Sequence, residues 1–478
     1  MSRARSPHLR PQLTLHRRIV VAAFAVLAAI SCSSGGVDGG DGDGDGDGDG
    51  DGDGDAVTFT VETLNLTDPE AAPLSGRGLG VGVTANGRFA VAFIAEGSGT
   101  YECQLFGGGT IEGGTYREVR VAADDGAGGY TVTTVDQIPG ASSQAVDLTA
   151  LGDELIVVYA GGETANGYCG PSDLVMARGT PAGFATTTVA TDSGNASGAC
   201  RLAQGGEDSY CTIGDTVGQY ASVATSSTGM IAISYQDFHN GFADKDINGT
   251  DLEIAKGTGA LALRHVSTEA GAGYHSHVAI GPDDRVIIGH EVISNNQFLD
   301  QDGVPYTWKK GIYVAVEQAD GTFIDTLIAD GVQTDHRVTV GHHPSLGFVA
   351  AYNDRVSEDL IFWISTDDGA TWTPEPIDQL GLVGQSPSLA FLSDGTPVIA
   401  YRFCANAGSA TCNRALDRVR VAVRTTAGWK KQDMPQNDEE NEGIDITLAV
   451  APDDTVVVAS QNATRGIIVV HKLTRNTP

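Results

Sequence analysis

The chain has little positive charge. Its 29 Lys and Arg stand against 61 Asp and Glu, a formal net charge of −32. Arg3, Arg5, Arg10, Arg17 and Arg18 crowd the first eighteen residues, so the remainder is more acidic still. Such a surface repels phosphate backbones and bare anionic lipid, which excludes nucleic-acid partners. Apolar spacing at the helical period is almost absent, which excludes helical bundles. The longest apolar run covers residues 19–30, twelve residues in all, and is too short to span a bilayer. Seven cysteines are present, and none falls at zinc-ligand spacing.

What the chain has is a repeat of about fifty residues. Residues 386–434 show it well. SPSLAFL rises to a turn at Ser393-Asp394-Gly395, TPVIAYR returns, a loop follows, and DRVRVAVRT precedes a last strand from Trp429. Four short strands at this period predict a blade of a β-propeller. The first hairpins turn at Asn86-Gly87, Gly152-Asp153, Thr228-Gly229, Asp283-Asp284, His343-Pro344, Asp394-Gly395 and Asp453-Asp454, which makes seven blades. The second hairpins place a Gly-containing turn before Tyr130, Phe184, Leu261, Phe323, Trp372 and Trp429. Gly, Asn and Asp recur at these points because they accept positive φ at little cost.

The seventh repeat is one strand short, and the missing strand stands at the other end. Residues 57–65, VTFTVETLN, resemble the fourth strands YTVTTVD, FATTTVA and FIDTLIA. An open ring exposes two sheet edges, so pairing this segment beside residues 467–473 is expected to close it. The fold class is therefore all-β, a seven-bladed propeller of four-stranded antiparallel blades over residues 56–478.

Residues 1–31 read as a signal peptide, with a positive start and a short apolar core. Cys32 follows Ala-Ile-Ser and resembles the lipobox of bacterial lipoproteins, in which the Cys is acylated and becomes the mature N-terminus. Ala29 departs from the Leu usual there, and simple secretion with cleavage near Ala28 is the alternative. Residues 32–55 are nearly pure Gly-Asp, with too little apolar surface to fold and enough charge to stay extended. They read as a tether. The resemblance implies an outer-membrane lipoprotein, periplasmic or surface-exposed, touching the membrane only through its lipid. A monomer is expected.

Six cysteines remain: Cys103, Cys169, Cys200, Cys211, Cys404 and Cys412. Outside the cytoplasm an even count suggests three disulfides, and fifteen pairings are open. All six lie in or beside long insertions at residues 96–115, 161–172, 192–219, 237–250, 294–310 and 405–416. In a propeller these second-to-third-strand and inter-blade loops share one face, which marks it as the expected working surface. A protein or glycan ligand is expected there.

Three constellations fall on that face. His275 and His277 alternate at the start of a strand, and a two-residue turn at Asp283-Asp284 sets His290 opposite His277, with His336 of the next blade near. Three converging imidazoles suit zinc with an open position; hydrogen-bonded residues at the channel mouth are the alternative. Asp244, Asp246 and Asn248, followed by Gly249, form the front half of a calcium loop, which Asp251 or Glu253 would complete. Calcium is thus the expected cofactor, ahead of zinc. Glu96, Asp237, Glu291 and Asp354 end second strands, where they would ring the channel mouth beside Arg402. No catalytic set is assigned.

Ser365-Thr-Asp367-Asp-Gly369-Ala-Thr371-Trp372 resembles the Asp-box of sialidase-like propellers, Ser-x-Asp-x-Gly-x-Thr-Trp. In that family the box is a structural turn between third and fourth strands. Residues 424–429 carry a decayed version. The resemblance implies the propeller fold and, as one alternative, an extracellular glycoside hydrolase or lyase. The chain lacks the family's Arg-Ile-Pro and its three substrate-gripping arginines. A purely structural envelope protein is a further alternative.

Overall fold

A computed structural model describes residues 58–67, 73–74, 78–104, 110–111, 114–139, 145–161, 172–191, 216–238, 250–267, 271–293, 297–299, 305–307, 309–334, 337–404, 417–437 and 440–476. Seven four-stranded antiparallel sheets follow one another. Blade 1 is Leu79–Val83, Phe89–Thr100, Thr115–Asp124 and Tyr130–Pro139. Blade 2 is Val146–Leu151, Glu154–Gly161, Asp173–Thr180 and Gly183–Ala190. Blade 3 is Thr216–Thr225, Ile231–Phe238, Thr250–Gly257 and Ala262–Ser267. Blade 4 is Tyr274–Ile280, Val286–Val292, Gly311–Glu317 and Phe323–Asp330. Blade 5 is Thr339–His343, Gly347–Asp354, Asp359–Ser365 and Thr373–Asp378. Blade 6 is Leu382–Phe391, Pro397–Cys404, Arg418–Thr425 and Gly428–Asp433.

Blade 7 takes Glu442–Val450, Val456–Asn462 and Ile467–Arg475 from the C-terminal end and Phe59–Leu66 from the N-terminal end. The closing strand pairs in unbroken register from Phe59 opposite Arg475 to Leu66 opposite Ile468. Phe59 also exchanges two backbone hydrogen bonds with the Gln432 side chain of blade 6, at 2.9 and 3.0 Å. This is the predicted closure, and it covers the edge that Ile467–Arg475 would otherwise expose.

The apolar core is divided among seven seams, each filled by buried residues of two adjacent blades. The second strands are near-continuous runs of Val, Ile, Leu and Ala because both of their faces lie in a seam. At the Ser365–Trp372 turn, Asp367 accepts from the Ser365 hydroxyl (2.9 Å), the Thr371 amide (2.9 Å) and the Thr371 hydroxyl (2.6 Å). Thr371 therefore holds the Asp367 carboxyl below its ordinary pKa. Trp372 packs into the seam between blades 4 and 5.

A polar girdle ties the inner strands together. At one position of the repeat, a side chain accepts the backbone N–H of the next blade's inner strand. Asp147 takes Val223 (3.1 Å), Ser222 takes Val278 (3.3 Å), His277 takes Val340 (3.1 Å), Thr339 takes Leu389 (3.1 Å) and Ser388 takes Leu448 (3.0 Å). Blade 1 has Gly80 there. A Cβ on Gly80 would meet the Leu148 nitrogen at 2.1 Å, so only Gly allows the first two inner strands to approach this closely. Cys404 is fully buried and disulfide-bonded. Cys103 lies in a small hairpin of Cys103–Gln104 with Thr110–Ile111. Cys32, Cys169, Cys200, Cys211 and Cys412 lie outside the described residues.

Candidate functional site

The looped face receives the first residues of each inner strand and the last residues of each second strand. In blades 3, 4, 6 and 7 the inner strand enters through a bulge of one pattern. A positive-φ glycine is followed two residues later by a side-chain-bearing residue also in the left-handed region. The pairs are Gly218 and Tyr220 (φ 49), Gly273 and His275 (φ 53), Gly384 and Ser386 (φ 49), and Gly443 and Asp445 (φ 52). Each coincides with a break in register against the second strand.

The turn overturns the expected histidine triad. Five residues, 281–285, separate Ile280 from Val286 in place of a two-residue turn, which sets His277 opposite Gly289 rather than His290. A slip of one residue sends a side chain to the other face of the sheet. His277 is the girdle acceptor of blade 4. Burial, and secondarily Arg337, hold its pKa well below the usual range, so the ring is neutral and free to accept. His290 occupies the second-strand position that holds Tyr159, Tyr235, Tyr352 and Tyr401 in other blades. It is fully buried, with Nε2 3.1 Å from Asp325 and its ring stacked on Tyr313. His275 alone reaches the mouth. The three imidazoles are not among the described side chains that gather at ion-binding distance. His336, Asp244, Asp246 and Asn248 lie outside the described residues.

The carboxylates do not form the expected ring either, because they sit at different steps of the repeat and strand alternation parts them. Glu96 is exposed and pairs with Arg117 at 3.2 Å. Asp354 caps its own loop by accepting from the amides of Val356 (2.8 Å) and Ser357 (3.3 Å). Asp237 is buried, opposite Asp251. Glu291 stands at a position that clamps the next blade elsewhere. Gln236 donates to the Ala272 carbonyl, Asn353 to that of Val383 and Gln461 to that of Leu74, at 3.0, 2.5 and 3.0 Å. Arg402 instead donates to the side-chain oxygen of Asn441 at 2.8 Å, and it also pairs with Asp417 at 3.1 Å.

An ionised carboxylate has no proton to donate, so Glu291 cannot make that clamp. It is 1% exposed, its Oε2 lies 3.0 Å from Nδ1 of His275, and its Oε1 has no hydrogen-bond partner among the described residues. An Nδ1–H of His275 donated to this carboxylate would leave Nε2 as the acceptor nitrogen of the ring. Tyr220 packs edge-on against His275 (5.0 Å between centroids) and tilted against Tyr274 (5.5 Å). Burial, with Tyr220 and Glu291, pushes the Tyr274 hydroxyl up to about 12. Behind them Arg337, entering blade 5, reaches Asp147 of blade 2 at 3.6 Å, from the far side of the ring. Apolar alternation does not mark Tyr220, Tyr274, Arg337 or Asp147. The recurring Gly-x-(Tyr/His/Ser/Asp) entry is a signal that marks Tyr220, and Tyr274 lies inside it, between Gly273 and His275.

No family model and no curated protein matches this chain. Solved structures of similar architecture do. A Dyadobacter fermentans protein of unknown function is 12% identical with a TM-score of 0.43, covering 88% of this chain and 99% of its own. Trypanosoma rangeli sialidase is 10% identical with a TM-score of 0.42; the match covers 86% of this chain and 59% of the sialidase. A virginiamycin B lyase from Staphylococcus aureus is 12% identical with a TM-score of 0.45, over 87% of this chain and all of the lyase. At these identities the likeness is one of fold, and function has to be argued from the site.

Proposed function

We propose that this is a cell-envelope lipoprotein, held in the outer membrane by an acylated Cys32 and carried on the Gly-Asp tether of residues 32–55. Its propeller binds a protein or glycan ligand at the looped face, around His275 and Glu291. The observation that supports this reading most is the buried Glu291 carboxylate. It replaces a structural clamp, and one oxygen is left for a donor that the described residues do not supply. Aromatic faces at Tyr220 and Tyr274 beside a fixed acceptor suit sugar hydroxyls or a basic peptide side chain. Calcium held by Asp244, Asp246 and Asn248 would stiffen the neighbouring loop.

The test is a glycan and peptide binding screen on the full chain, followed by titration of any hit against Glu291→Gln and Tyr220→Ala. Loss of binding in both, with unchanged melting, supports the reading. Equal affinity in all three proteins would end it. The His275–Glu291 dyad favours a second reading, an extracellular hydrolase or lyase with His275 as general base oriented by the carboxylate. Turnover of a bound hit, lost in His275→Ala while binding persists, would select that reading.

A further inference from the structure

We propose that the seam between blades 2 and 3 is a binding site for a divalent transition-metal ion, with Asp251, Glu253 and His265 as ligands. This site is separate from the channel mouth and does not depend on the function proposed there.

The repeat shows what is unusual about this seam. At two others, a second-strand tyrosine donates to an acid on the fourth strand of the preceding blade. Tyr159 donates to Asp136 and Tyr401 to Asp378, each at 2.7 Å. The residue equivalent to Asp136 and Asp378 in blade 2 is Ala190, which pairs with Leu174 as they pair with Val119 and Leu360. The missing carboxyl leaves a cavity of about 190 Å³ lined by Ala190, Tyr235, Asp237, Glu253 and His265. Tyr235 is 3% exposed, lines this cavity and makes no hydrogen bond among the described residues. A tyrosine hydroxyl that faces a cavity beside carboxylates with no described partner calls for a ligand or water there.

The opposite wall is built for a cation. Cross-strand register sets Tyr235, Glu253 and His265 in one row and Asp237 and Asp251 in the next, all on one sheet face. The ligand atoms of Asp251, Glu253 and His265 lie within 4.8 Å of one another. His265 Nδ1 contacts Glu253 directly. In blade 6 the third-strand residue of the same row is Arg420, which neutralises Asp378 (2.9 Å) and Asp433 (2.5 Å). Blade 3 has Glu253 there instead, so three carboxylates crowd a largely buried face. Arg264 also lines the cavity, and its guanidinium pairs with Glu317 at 2.6 Å.

Two carboxylates and an imidazole gathered this closely offer the donor set of a divalent cation. Two carboxylates with one imidazole match zinc or manganese, whereas calcium takes oxygen ligands only. Tetrahedral zinc would draw the ligand atoms to about 3.3 Å apart. The open position would face Tyr235, whose hydroxyl would then hydrogen-bond a metal-bound water.

The test uses the full chain, stripped with chelator, dialysed and titrated calorimetrically with Zn²⁺, Mn²⁺ or Ca²⁺ alone. One equivalent of Zn²⁺ or Mn²⁺ is expected. Affinity should fall by more than about a hundredfold in Glu253→Gln and in His265→Gln, since losing even an outer-shell partner costs 10–100-fold. His265 is half exposed, so His265→Gln should fold even where Glu253→Gln does not. No stoichiometric binding of either metal would overturn the proposal. So would binding that survives His265→Gln unchanged, or uptake of Ca²⁺ alone.

Discussion

Removing the closing strand tests the architecture most directly. Phe59 and Leu66 are 5% and 3% exposed, and Val61 and Leu64 are packed against the same two seams. At roughly 1.5–3 kcal/mol for each fully buried side chain, these residues contribute on the order of 5–8 kcal/mol. Loss of the strand also uncovers Ile468, Val470 and Leu473, each at most 1% exposed, and leaves the backbone of Ile467–Arg475 unpaired on one side. The loss is comparable to the whole stability of a typical domain, about 5–15 kcal/mol. A chain beginning at Pro73 should therefore melt at least about 10 °C lower by circular dichroism, or show no cooperative transition and aggregate on size exclusion. Deleting residues 33–55 should leave melting unchanged. A chain from Pro73 that melts like the full-length protein would refute the closure argument.

Cys32→Ser should move the protein from the membrane to the soluble fraction; persistence in washed membranes counts against the lipid anchor. Glu291→Gln supplies the amide found in the Gln236 and Gln461 clamps. Melting should hold or rise while ligand binding or turnover is lost, and a drop in stability would contradict the clamp argument. His277→Ala strands the Val340 amide and should cost about 1–3 kcal/mol in urea unfolding, without changing metal content. The wild type should also carry a pH term that this variant lacks. The depressed folded pKa of His277 means that the unfolded chain binds the extra proton. Its contribution is therefore whole above about pH 6.5 and declines by up to about 1.4 kcal/mol per unit as the pH falls below that. A pH-independent difference between the two proteins would show that His277 is not a neutral acceptor.

The blades were legible because their boundaries are marked by residues with few conformational options. Asn86-Gly87 and Asp394-Gly395 turn where expected, and Asp283-Asp284 does too, but within a five-residue connection rather than a two-residue turn. The fifth turn begins one residue later, at Pro344, because His343 still pairs with Gly347. Residues 57–65 were marked by their likeness to other fourth strands, and the strand runs Phe59–Leu66. The site was harder to read, since its geometry depends on one turn's length and on one-residue bulges that leave no break in apolar alternation. His277 and His290 look like partners in the sequence and point to different neighbours in the fold. Ala190 was visible in FATTTVA beside YTVTTVD, but its meaning depends on a tyrosine hydroxyl in another blade.

The closing strand has a temporal consequence. Each blade brings together residues some tens of positions apart, yet the bond between Thr63 and His471 spans 408 positions. Phe59–Leu66 is made first during synthesis and is the last to find its partner, since Ile467–Arg475 must be complete before it can dock. Six blades can assemble from local contacts as the chain emerges, while the ring stays unsealed until Ile467–Arg475 has been made. The slow step of folding should therefore be a single long-range docking event after that strand emerges, and the unpaired Phe59–Leu66 is the segment most exposed to chaperones and to other copies in the interval.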